Sequence, residues 1–81
     1  MTIELLFFAQ LREAVGGGER TVQVAEGATV DDVVAVIRDW PEWQAVSALP
    51  LTFAVNETLV AGTHRLIDGD TLALLTPISG G

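Results

Sequence analysis

Only one stretch of this 81-residue chain carries a sustained helical period, and that limits what its apolar residues can pack against. Val30, Val33, Val34 and Ile37 fall at i, i+3, i+4 and i+7 and share one face. Thr29 is a good N-cap, and Asp32 three residues on resembles a capping box with aspartate in place of glutamate. Asp31 and Asp32 also lie in the first turn, where the helix dipole favours negative charge. Pro41 stops the helix by pushing Trp40 toward extended geometry. The valines are weak helix formers, so packing rather than propensity must hold the segment.

The rest reads largely as strand and turn. Residues 2–9, rich in branched and aromatic side chains, predict a first strand, and residues 19–25 a second. Residues 51–55, 58–60 and 71–76 predict three more. Gln10–Val15 has room for one or two helical turns, stopped by Gly16. Gly16–Gly18 is a loop, and Asn56-Glu57 and Asp68-Gly69-Asp70 are turns. Strand, strand, helix, strand, short strand, strand is the order of an α+β β-grasp (ubiquitin-like) fold: a mixed sheet of four to five strands with one main helix across one face. We expect a single domain over residues 1–81, with a flexible tail over about residues 77–81.

One helix covers one face of a sheet, so the other face meets water or a partner. Alternation places Ile3, Leu5 and Phe7 on one side of the first strand and Glu4, Leu6 and Phe8 on the other. Glu4 marks the second side as open, which leaves Leu6 and Phe8 uncovered. In the last strand Leu72 and Leu74 point to the helix, while Ala73 and Leu75 point away. Parallel pairing of the first and last strands would put Phe8 and Leu75 at the end where the tail leaves. That is a docking patch beside a reactive arm. For Phe8 the alternative is packing beneath the Gln10–Val15 turns.

Eleven acidic residues against four arginines give a net charge of −7, with no lysine. Such a chain repels nucleic acid and anionic membrane and favours basic protein partners. No stretch approaches the ~20 apolar residues of a membrane helix. The absence of cysteine excludes disulfides and thiolate metal sites, and with no leader segment in view it fits a cytoplasmic location. Gly16–Gly18 lacks the Lys-Ser/Thr of a phosphate loop, Asp68-Gly69-Asp70 lacks the other ligands of a calcium loop, and His64 stands alone. Trp40 and Trp43 are expected to seal one edge of the core.

The sequence closes on Pro77-Ile78-Ser79-Gly80-Gly81, directly after the last strand-like run. Two glycines without side chains form a slender arm able to thread a channel that any Cβ would block. This end, Leu6-Phe7-Phe8-Ala9-Gln10-Leu11-Arg12-Glu13 near the start, Val55-Asn56-Glu57-Thr58-Leu59-Val60, His64, Leu66 and Asp68-Gly69-Asp70 together resemble the small, sulfur-carrier subunits of molybdopterin synthase. The resemblance spans the whole chain. Thr76 stands where that family often has a second proline, and Leu75 where an aromatic is common. Thiamin-pathway sulfur carriers share the turn and the tail but lack the opening run.

The resemblance implies a carrier cycle. An E1-like adenylyltransferase uses ATP to convert the Gly81 carboxylate to an acyl-adenylate, and a persulfide relay turns it into a thiocarboxylate. The tail, Gly80 being its slender penultimate residue, then enters the large catalytic subunit of a heterotetrameric synthase and donates sulfur to cyclic pyranopterin monophosphate. On this view the chain binds no cofactor, and it is the sulfur-donating subunit of a sulfurtransferase, without catalytic power alone. Docking roles carry over to Phe8, Arg12, Leu59 and Leu75, with Pro77, Ile78 and Ser79 as the tail that the partner grips. The alternatives are a ubiquitin-like protein modifier, a thiamin-pathway carrier, and a passive β-grasp binding module whose Gly-Gly end has no role.

Overall fold

The computed structural model describes residues 1–77. Five strands form one mixed sheet: β1 (Thr2–Phe7), β2 (Glu19–Gln23), β3 (Thr52–Val55), β4 (Thr58–Val60) and β5 (Thr71–Leu75). Their spatial order is β2-β1-β5-β3-β4. β1 and β5 run parallel at the centre, with Leu5 opposite Leu72 and Phe7 opposite Leu74; the other pairs are antiparallel. Two α-helices, α1 (Ala9–Val15) and α2 (Val30–Arg38), and a 3₁₀ helix (Pro41–Val46) complete the chain. This is the β-grasp fold expected above.

α2 forms as its sequence dictates. Thr29 N–H donates to Asp32 Oδ2 at 2.9 Å, and Asp32 N–H returns the bond to Thr29 Oγ1 at 3.3 Å, so the capping box is complete with aspartate. The loop after β4 satisfies two more of the donors that every helix start leaves unpaired. Val30 N–H reaches the His64 carbonyl at 3.0 Å and Asp31 N–H the Gly62 carbonyl at 2.9 Å. A Cβ at Gly62 would meet the carboxylate of exposed Asp31, which would have to swing aside. Val30, Val33, Val34 and Ile37 are all buried, against Ile3, Leu5, Phe7, Leu72 and Leu74.

Three local differences from the sequence reading have physical causes. β1 ends at Phe7 because the chain turns two residues further on: Ala9 adopts left-handed backbone, φ 50°, and leads into α1. β2 stops at Gln23, although Val24 and Met1 still exchange backbone bonds. Pro41, which ends α2, also starts the 3₁₀ helix, a position where its missing N–H costs nothing. That helix drives Trp43 fully into the core, while Trp40 stays partly exposed. Phe7 lies between them, 6.1 Å from the Trp40 ring and 6.2 Å from Trp43.

Arg20 closes this corner. Its Nη2 donates to the Val15 carbonyl at 2.9 Å and to Glu42 Oε2 at 3.1 Å, and its guanidinium lies 4.6 Å from the Trp40 ring centre. A bond from its own backbone N–H, and then Arg20, hold the Glu42 carboxyl below the usual carboxylate range. Its folded pKa being depressed, Glu42 contributes stability above the unfolded value and loses it as pH falls through the folded one. Glu42→Gln should therefore be less stable than wild type at neutral pH and equal to it in strong acid, as measured by urea unfolding across pH.

At the opposite end Asp70 is the buried carboxylate. It accepts from Asn56 Nδ2 and from Ile67 N–H, both at 2.9 Å, while Asn56 Oδ1 accepts from Thr71 N–H at 3.0 Å. Asp70→Asn would turn one accepting oxygen into a donor that faces another donor. We expect a loss of about 1–3 kcal/mol, read from the urea midpoint at unchanged slope.

Candidate functional site

The sheet register sorts the open face into rows. Glu19, Leu6, Ala73, Ala54 and Leu59 lie side by side from β2 across to β4. One step toward the tail, Leu75 sits opposite Thr52 and, by continuation of the Phe7–Leu74 pair, beside Phe8. One row away from the tail are Thr21, Glu4 and Thr71. The two alanines in the middle row leave a hollow between taller neighbours. Leu6, Phe8, Ala54, Asn56, Glu57, Thr71, Ala73 and Leu75 line it.

Phe8 belongs to this hollow rather than to the core. It is 46% exposed, and the side chains that α1 buries are Leu11 and Val15. The reason is the Ala9 corner: Phe8 keeps extended backbone (φ −127°, ψ 155°) and so continues the alternation of β1 onto the open face. Leu75 is half-buried on the same floor. Arg12 lies on α1 against Gly18 and shares a second shallow depression with Leu6, Phe8 and Glu19. Leu59, 70% exposed, stands in the middle row but on the outermost strand, roughly 14 Å from Leu6 at ~4.8 Å per strand. The structure therefore gathers Phe8, Leu75 and Arg12 at one end and sets Leu59 apart on the same face. Pro77, just past β5, is exposed at the Phe8–Leu75 end. Ile78, Ser79, Gly80 and Gly81 lie outside the described residues.

Ala54, Asn56 and Glu57 escaped the sequence reading as parts of this face. β3 is too short for its alternation to say which side faces the helix, and only its register with β5 does so. The turn between β3 and β4 has two residues, Asn56 (φ 48°) and Glu57 (φ 74°), both left-handed, as in a type I′ hairpin. Ile67, 69% exposed beside β4, was also unforeseen. Among the described residues no cluster of His, Asp or Glu could hold a metal ion, and no helix is long and apolar enough to cross a membrane.

An open, largely apolar hollow with Glu57 as the one titratable group in its lining is suited to holding an apolar projection of another surface. Full burial of Phe8 or Leu75 against another protein would contribute roughly 1.5–3 kcal/mol each. Phe8→Ala should leave urea stability within about 0.5 kcal/mol of wild type, as for a surface change. The same substitution, and Leu75→Ala, should weaken partner binding by a larger factor than they change stability, measured by titration calorimetry.

The ThiS family model matches residues 5–81. A molybdopterin synthase sulfur carrier subunit of Chlamydomonas reinhardtii is 36% identical over 84 aligned positions, covering 100% of both chains. One from Escherichia coli (strain K12) is 41% identical, covering 98% of this chain and 99% of that one. Among solved structures, SAMP1 from Haloferax volcanii superposes with a TM-score of 0.83 at 27% identity, covering 100% of each chain.

Proposed function

We propose that this chain, which belongs to the ThiS family and aligns end to end with molybdopterin synthase sulfur carrier subunits, carries sulfur as a thiocarboxylate on Gly81 for molybdenum cofactor biosynthesis. The observation that carries this reading is the agreement of two things. The relatives named as sulfur carriers match over their whole length, and the apolar hollow of Phe8 and Leu75 lies at the end of β5 from which the sequence runs on to Gly80-Gly81. The relatives are named as subunits of a synthase, which supports a large catalytic subunit as one partner.

The chemistry needs two partners. A carboxylate anion resists nucleophilic attack, so an E1-like adenylyltransferase first joins Gly81 to the AMP of ATP, releasing pyrophosphate. The terminal sulfur of a persulfide displaces AMP, and a partner thiol cleaves the resulting S–S bond to leave the thiocarboxylate. With no cysteine of its own, the chain depends on others for both thiols. In the large subunit the thiocarboxylate sulfur attacks cyclic pyranopterin monophosphate, and water releases the Gly81 carboxylate for another round. Two such transfers supply the dithiolene sulfurs. Phe8, Arg12, Leu59 and Leu75 hold the partner; Pro77, Ile78 and Ser79 lead the arm, and Gly80 keeps it narrow. The cycle runs in the cytoplasm, and ATP is bound by the activating enzyme alone.

Incubation with the activating enzyme, ATP and a sulfur donor should shift the intact mass by one oxygen exchanged for sulfur, at the C-terminus. Removal of Gly81 should abolish the shift. An unchanged mass, with an enzyme shown to be active on another carrier, would overturn the reading; a ladder of lysine adducts on other proteins would favour a protein modifier instead.

A further inference from the structure

We infer that the open face carries a charge frame that orients its partner: carboxylates Glu4, Glu19 and Glu57 beside the apolar hollow, and Arg12 at the tail end. The inference rests on the docking role just proposed for that face. Glu19 is the register neighbour of Leu6, Glu57 lines the hollow itself, and Glu4 follows one row from Leu6 on the same side of β1. Glu4 and Phe8 are four residues apart along the chain, which is roughly 13 Å of extended backbone. Glu4 and Glu57 thus lie on the part of the face away from the tail, while Glu19 shares the depression of Phe8 with the guanidinium of Arg12.

None of these four groups is spent inside the fold. Among the described residues the one ion pair is Arg20–Glu42, in the far corner behind the sheet. Glu4 receives only a long bond of 3.4 Å from Thr71 Oγ1. Glu57 is held in left-handed backbone, unfavourable for any residue with a Cβ, by a turn that the Asn56–Asp70 bond fixes. Its position is therefore set by the fold and not by a charge partner.

The occupant that fits is a protein surface with an apolar projection for the hollow, flanked by arginine or lysine where it meets the three carboxylates. A second copy of this chain fits poorly: each copy would bring three carboxylates against one guanidinium, on a chain of net charge −7. Such a frame steers encounter and selects one docking direction, the one that leaves the Pro77 end pointing into the partner. Its contribution is screened by salt, whereas that of Phe8 is not.

The test is stopped-flow association with the purified large synthase subunit at low and high salt. The variant Glu4→Gln/Glu19→Gln/Glu57→Gln should associate about tenfold more slowly than wild type at low salt and converge with it at high salt, with dissociation little changed. Glu57→Lys alone should show the same trend, and unaltered circular dichroism melting would exclude misfolding as the cause. Phe8→Ala should accelerate dissociation at either salt. Equal association rates for wild type and the charge variants, or faster association of the variants, would overturn the frame while leaving the docking face intact if Phe8→Ala still weakens binding. Loss of effect in Phe8→Ala as well would overturn the docking role itself. Dimerisation of the free chain at low salt would overturn the partner assignment.

Discussion

A single helix can shield one side of a sheet, and everything distinctive about this molecule follows from how it uses that limit. The shielded side is sealed: Ile3, Leu5, Leu72 and Leu74 are wholly buried in one core with the apolar face of α2, Leu11 and Val15 of α1, and Trp43 of the 3₁₀ helix. The other side is left with Leu6, Phe8, Ala73 and Leu75, residues that a sheet facing only water would not choose. A small domain gains little from a second core layer it cannot build, so apolar side chains there cost solubility unless something covers them. The surrounding carboxylates offset that cost while the face is bare.

α2 and the two buried strands were legible in the sequence because their signals are local. A capping box, a 3.6-residue period and a run such as Thr71–Leu75 each fit within a dozen residues. Phe8 was legible only as a pair of alternatives, since choosing between them depends on the backbone of Ala9, a residue type that rarely takes φ 50°. The Asp68-Gly69-Asp70 turn was readable; that Asp70 is buried and holds Asn56 was not. The partners are 14 residues apart and meet only once β3 and β5 are in register. The 3₁₀ helix was hidden behind Pro41, which reads as a stop and here is also a start.

The hollow itself is a non-local product. Ala54 and Ala73 come from strands far apart in sequence, and each looks unremarkable in its own segment. Brought opposite each other, they lower the centre of a face whose margins are leucine and phenylalanine. Shape on a sheet surface is therefore written in register rather than in any one strand, and residue type alone underestimates it.

The central parallel pairing of β1 with β5 has a mechanical consequence. A pull on the chain beyond Leu75 would run along β5. Because β5 is flanked by β1 and β3, that force acts along the strands and loads many inter-strand hydrogen bonds together, in shear. Peeling them one at a time would need a pull across the sheet. Tension on the tail would therefore meet the sheet in its stiffer direction, as a handle fixed along the grain of the wood holds where one fixed across it would split away.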